Sequence, residues 1–172
     1  MTKEQFLKDV GNWSNHRHLL WPALEATKGD TNPVLEMGCG DGSTPYLQQY
    51  CKGRTLRSID SNKEWADKFG AEYTKAWDFH EWFYKQKYSV VLVDQAPGEH
   101  RKQALELFAQ FPIHAQIIVV HDSEPPGWNA SDYRVRPLFK FWQYHIDFES
   151  PKPGAWASAL SNNIAVTKWT LK

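Results

Sequence analysis

Val34-Leu35-Glu36-Met37-Gly38-Cys39-Gly40-Asp41-Gly42-Ser43-Thr44 is the stretch that decides the fold of this 172-residue chain. It reads as a short buried strand, a glycine loop and the first turn of a helix. Alternating glycines let the backbone turn sharply and approach a ligand closely. Glu36 sets a carboxylate at the strand end. In open α/β sheets, nucleotide-like ligands bind at such a place, beside the carboxyl ends of the strands.

Working outward, apolar runs alternate with helical patterns, the signature of an α/β sheet. Two helices are expected at 3–10 and 15–27. Asn32-Pro33 forces an extended entry into a first strand at 33–37. A helix follows over 43–51. A second strand at 55–59 ends at Asp60, and Asn62 is placed to cap a helix at 63–69. A third strand is expected at 72–76 and a helix at 79–86. Tyr88-Ser89-Val90-Val91-Leu92-Val93 forms a fourth strand ending at Asp94, followed by a helix at 99–110. Ala115 to Val120 forms a fifth, ending at His121-Asp122. Beyond it, a short helix at 131–139 is restricted by Pro137. Strands are expected at 142–148, 155–160 and 164–170, closing the sheet as an antiparallel hairpin. The organisation is one domain, with residues 1–30 as a helical cap and 31–172 as the α/β core.

Composition narrows the class. Acidic and basic residues balance at 20 each, which disfavours nucleic acid as a partner. No apolar run is long enough for a membrane span, and Met1 to Phe6 has no signal-peptide core. Cys39 and Cys51 form neither a disulfide framework nor a four-ligand zinc set. A reduced, cytoplasmic protein is the expectation. Some of the nine Trp residues must line the core, and they are also candidates to wall a ligand cleft.

The loop spacing is G-x-G-x-G preceded by Glu, and Ser43 stands where the dinucleotide fingerprint has its third glycine. Glu36 and Asp41 beside the loop suit a cationic ligand better than a pyrophosphate. The segment resembles motif I of the class I S-adenosylmethionine-dependent methyltransferases. That resemblance implies a Rossmann-like, three-layer α/β/α sandwich with a mostly parallel sheet and a C-terminal antiparallel hairpin. It also implies S-adenosylmethionine as cofactor, S-adenosylhomocysteine as product, and methyl transfer to a small-molecule O- or N-acceptor.

Carboxylates recur at strand ends: Glu36, Asp60, Asp94 and Asp122. Asp60, 18 residues past Gly42, is placed to accept from ribose hydroxyls. The expected cofactor-binding set is Glu36, Gly38, Cys39, Gly40, Asp41, Ser43, Thr44, Asp60, Ser61, Trp77, Asp78, Asp94 and Gln95. By resemblance, Trp77 and Asp78 take the adenine, and Asp94-Gln95 passes the reactive methyl group. His121 is the candidate general base near neutral pH, with Asp94 and Asp122 as its catalytic partners. Those two acids also resemble the metal pair of catechol-type O-methyltransferases, where Asn usually follows the second acid. Ser123 stands in that place here, so a divalent metal is possible but not favoured. His16, Arg101 and Trp128 are the candidate acceptor contacts, His16 as part of an N-terminal lid. Two other readings remain open: a nicotinamide-dependent oxidoreductase, and a non-catalytic cofactor-binding or scaffold protein.

Overall fold

The computed structural model describes residues 1–75, 86–127, 134–150 and 155–170. The strands are β1 (Val34–Met37), β2 (Leu56–Asp60), β3 (Glu72–Tyr73), β4 (Tyr88–Val93), β5 (Ala115–His121), β6 (Tyr144–Glu149) and β7 (Trp156–Ser161). The described helices are α1 (Lys3–Phe6), α2 (Arg17–Ala26), α3 (Thr44–Tyr50), α4 (Lys63–Phe69) and α5 (Glu99–Gln110). Sheet order is β3-β2-β1-β4-β5-β7-β6. β1 to β5 are parallel, and β7 runs antiparallel to both β5 and β6.

Side-chain alternation along the buried strands builds two cores. Leu35, Met37, Val91, Val93, Ile118 and Val120 face α5, packing on Ala104, Leu105 and Phe108. Val34, Val90, Leu92, Ile117 and Val119 face the other way, onto Leu19, Leu20 and Leu24 of α2 and Leu47 of α3. Strands buried on both faces read as unbroken apolar runs, as β4 does. The result is the expected three-layer sandwich. The chain leaves β1 and β4, which are neighbours, toward opposite ends of the sheet order, so their carboxyl ends flank the switch point where ligands bind in such sheets.

Several local expectations are corrected. α1 stops at Phe6, after a capping box between Thr2 and Gln5, and Asp9 takes a left-handed φ of 55° that no helix continues. β3 has two residues rather than five. Residues 164–170 form no strand: Ser161 Oγ accepts from Asn163 N and Ile164 N, peeling the chain off the sheet into a 3-10 turn at Val166–Lys168. In the expected helix at 131–139, the described part is a 3-10 helix, Arg136–Phe141, with Pro137 in its first turn where no N–H is required. The expected helix at 79–86 lies almost wholly outside the described residues.

Candidate functional site

The glycine loop is fixed by backbone on both sides. Gly38 N donates to Ile59 O at 2.9 Å, and Asp94 N donates to Met37 O at 2.8 Å. Gly38 has φ 96°, and a Cβ there would lie 2.3 Å from Asp94 O. A Cβ on Gly42 would lie 2.9 Å from Trp13 O. The loop is thus wedged between the β4 exit and the N-terminal segment. On Gly40 the direction a Cβ would take is open, with the nearest atom, Gly42 N, at 3.9 Å. That is the side from which a ligand can approach the backbone.

Glu36 is fully buried and lies on the α3 side of the sheet. Ser43 Oγ (2.6 Å) and Thr44 Oγ1 (2.9 Å) donate to its Oε1, and Ser58 Oγ (2.7 Å) donates to Oε2. Burial pushes this carboxyl up against the pull of its three hydroxyl donors, to about 7. Gly40 N in turn donates to Thr44 Oγ1. Glu36, Ser43 and Thr44 therefore form an internal brace that shapes the loop from beneath. Asp60 accepts from Cys39 N at 2.6 Å and from Asn62 N at 2.7 Å, tying the loop to the β2 end. Each carboxylate oxygen retains a second acceptor site. Ser61 Oγ donates to Ala96 O, beside that same end. Asp41 faces outward and pairs with Lys68 on α4, away from the crevice.

Past the ends of β4 and β5, charges interlock. Arg101, on the first turns of α5, donates through Nη1 to Asp122 Oδ2 (2.6 Å) and through Nη2 to Asp94 Oδ1 (2.9 Å). His121 Nδ1 lies 2.9 Å from Asp94 Oδ1, and its Nε2 lies 3.5 Å from Asp122 Oδ1. Burial disfavours the imidazolium, but the two flanking carboxylates outweigh it and bring His121 up to about 9. Burial likewise opposes the charge on Asp94, yet His121, Arg101 and His16 hold its carboxyl well below the usual range. Asp122 sits at a left-handed φ of 51°, which turns the chain at the strand end and keeps its carboxylate within reach of Arg101.

These contacts bear on three of the expected site residues. The two carboxylates favour the protonated form of His121, which pairs it with Asp94. Arg101, 6% exposed, is an interior clamp across the two acids, its guanidinium joining Asp94 to Asp122. His16 is fully buried rather than on a solvated helix face. Its ring meets His121 edge-on, with centroids 4.7 Å apart. Burial and the His121 charge push it down to about 3.

The sequence reading missed why His16 goes inside. Arg17 beside it is 2% exposed, donates to Phe6 O and Lys8 O, and stacks on Tyr46 at 3.8 Å. This pins Ser14 to Arg17 into the interior. Asn15, also unforeseen, and Gln95, expected from the sequence, have both side-chain polar atoms buried without a hydrogen-bond partner among the described residues. The same is true of both ring nitrogens of His16. Each unmet buried polar group costs roughly 1–3 kcal/mol. Polar side chains kept at such a cost are what a polar ligand would satisfy. Trp77, Asp78 and Trp128 lie outside the described residues.

No family model and no curated protein matches this sequence. Solved structures do match its fold. Monomeric WbdD superposes with a TM-score of 0.57 at 17% identity, over 90% of this chain and 42% of that one. The chain thus spans less than half of WbdD. The N-terminal domain of human METTL16 in complex with SAH gives a TM-score of 0.54 at 11% identity, over 88% and 71% of the two chains. The plantazolicin methyltransferase BpumL, also in complex with SAH, gives 0.55 at 15%, over 88% and 83%. This chain has the Rossmann-like fold of the class I S-adenosylmethionine-dependent methyltransferases.

Proposed function

We propose that this protein binds S-adenosylmethionine at the β1–β4 switch point and transfers its methyl group to a small-molecule acceptor. The observation that carries the reading is the loop itself. Gly38 and Gly42 are sterically obligatory, Gly40 is open to a ligand, and orphaned amides stand nearby at Asn15 and Gln95. The residues fit the cofactor's chemistry. Asp60 retains acceptor capacity for ribose hydroxyls, and the Gly40 backbone would pack against the methionine portion. When bound, the sulfonium supplies an activated methyl group, which an acceptor heteroatom attacks in line.

The chain's contribution is chiefly alignment and exclusion of water. The Asp94–Arg101–Asp122–His121 lattice gives the crevice a rigid, charge-balanced floor. His121 is charged and His16 is a poor base, so the reading favours an acceptor that arrives already nucleophilic, such as a neutral amine or a phenolate. A small acceptor also accords with balanced charge and with the absence, among the described residues, of a helix long and apolar enough to cross a membrane. On this reading Asp94, His121 and Asp122 act on substrate through the shape and field of the site.

Calorimetric titration with S-adenosylmethionine and S-adenosylhomocysteine tests the proposal, with a nicotinamide cofactor as control. Micromolar binding of the first two is expected, weakened at least about tenfold by Asp60→Ala, the loss of one ribose hydrogen-bonding pair. Binding of the nicotinamide cofactor instead would overturn the reading in favour of an oxidoreductase. Cofactor binding without turnover on any acceptor would favour a scaffold.

A further inference from the structure

His16, Asp94 and His121 converge from three separate elements: the entry to α2, the exit of β4 and the end of β5. One ligating atom from each lies within 4.8 Å of the other two. The geometry points to a divalent transition-metal site built from these two imidazoles and one carboxylate. It is a different donor set from the Asp94–Asp122 pair that Arg101 neutralises.

Four observations support it. His16 is fully buried with neither ring nitrogen hydrogen-bonded among the described residues, and its ring meets that of His121 in a T-shaped contact. An imidazole in that state is a lone pair awaiting a partner. The ring centroids stand 4.7 Å apart, and two imidazoles sharing one ion through M–N bonds of about 2.1 Å place their centroids roughly 4.6 Å apart at a right-angle N–M–N and roughly 5.3 Å at the tetrahedral angle. His121 Nδ1 and Asp94 Oδ1 are 2.9 Å apart, a normal spacing for adjacent donors around a small ion. The outer groups are also in place. An ion taken at His121 Nδ1 displaces to solvent the proton shared there with Asp94 and leaves Nε2 facing Asp122 Oδ1 at 3.5 Å, the carboxylate–histidine–metal arrangement that fixes a ligand's orientation. Arg101 Nη2 donates to the same Asp94 Oδ1, which fixes the carboxylate's place beside the two rings.

The donor set indicates the metal class. Imidazole nitrogen favours Zn²⁺, Fe²⁺, Co²⁺ or Ni²⁺ over Mg²⁺ and Ca²⁺, which prefer all-oxygen shells. Three protein ligands leave coordination positions for water or an exogenous oxygen ligand. Ion binding stands independently of the methyltransferase reading, since the three side chains meet without a cofactor.

The experiment uses the full, untagged chain, stripped with chelator and titrated with Co²⁺ and Zn²⁺. Visible d–d absorption reports Co²⁺, and calorimetry reports both ions. The expected result is one ion per chain, with a melting temperature that rises on binding. His16→Ala and His121→Asn should each weaken affinity at least tenfold. His18→Ala and His145→Ala, which alter histidines outside the cluster, should leave it unchanged. Far-UV circular dichroism checks folding; if His16→Ala does not fold, His16→Gln replaces it. Failure of the wild-type chain to bind either ion stoichiometrically would overturn the proposal, as would binding that survives loss of His16. All titrations are run with and without S-adenosylmethionine, so failure of the cofactor reading registers separately.

Discussion

Replacing Gly38 by alanine should unfold the loop from within. The native φ of 96° lies where an L-residue is strained, at a cost of about 1–2 kcal/mol. The added methyl would also sit 2.3 Å from Asp94 O, 2.6 Å from Asp94 C and 2.9 Å from Gln95 N. All three are backbone atoms, so no rotamer relieves the overlap. Asp94 is itself held by its N–H to Met37 O, in line with the parallel β1–β4 ladder. Moving it pulls on the ladder and on the Arg101 clamp together. Overpacking of that kind costs a further 1–3 kcal/mol or so. The sum is about 2–5 kcal/mol, or a fall in melting temperature of roughly 5–20 °C for a chain of this size. Urea denaturation followed by tryptophan fluorescence measures it directly. Gly40→Ala is the paired control: its Cβ meets nothing closer than 3.9 Å, so stability should stay within about 0.5 kcal/mol of wild type while cofactor affinity falls. Equal stability losses in the two variants would refute the steric reasoning.

Other perturbations probe the neighbouring groups. Glu36 has its carboxyl raised from 4.5 to about 7 by burial, so the folded state holds a proton that the unfolded chain has lost between those values. Stability should therefore fall as pH rises through that window, by up to about 3 kcal/mol, and plateau above it. Glu36→Gln should flatten that part of the denaturation-versus-pH curve, and an unchanged curve would remove Glu36 as its source. Arg101→Ala leaves Asp94 and Asp122 to share the charge of His121, and should destabilise by about 3 kcal/mol; chemical denaturation reads this, and Arg101→Lys should recover only part. Arg17→Ala removes the donors to Phe6 O and Lys8 O. Limited proteolysis should then cut the first fifteen residues at least several-fold faster, whereas an unchanged cutting rate would mean that packing of Phe6 alone retains them.

The central strands β1, β4 and β5 were legible because they are buried on both faces, which writes a continuous apolar run such as Val90-Val91-Leu92-Val93. The glycine loop was legible because only glycine tolerates both the turn and the approach of Asp94 at Gly38. The polar interior was not. Arg101 on α5 and Arg17 on α2 look like ordinary helix-surface residues, since a pattern of polarity records the side chain and not its partners. Their burial depends on Asp94, Asp122, Phe6 O and Lys8 O, supplied by distant or adjacent elements that no local period reveals. His121 shows the same limit in its chemistry. The residue type suggests a base, while two flanking carboxylates favour its charged form. The final turn at Val166–Lys168 was hidden because Ser161, which peels the chain from the sheet, resembles any other strand-end serine.

The contact between Trp13-Ser14 and Gly42 has a consequence for how this architecture can be altered. Composition suggests a cap that ends near residue 30, followed by a self-sufficient sheet. Yet the glycine loop rests on the chain's own beginning, and His16 reaches β5 from the same segment. The crevice is therefore non-modular: it closes only when the first and later parts of the chain meet, so it inherits the cooperativity of the whole domain. Trimming or circularly permuting the chain ahead of β1 would yield a sheet with its motif intact and its binding geometry lost. Conversely, anything that tugs on the first fifteen residues has mechanical access to the glycine loop.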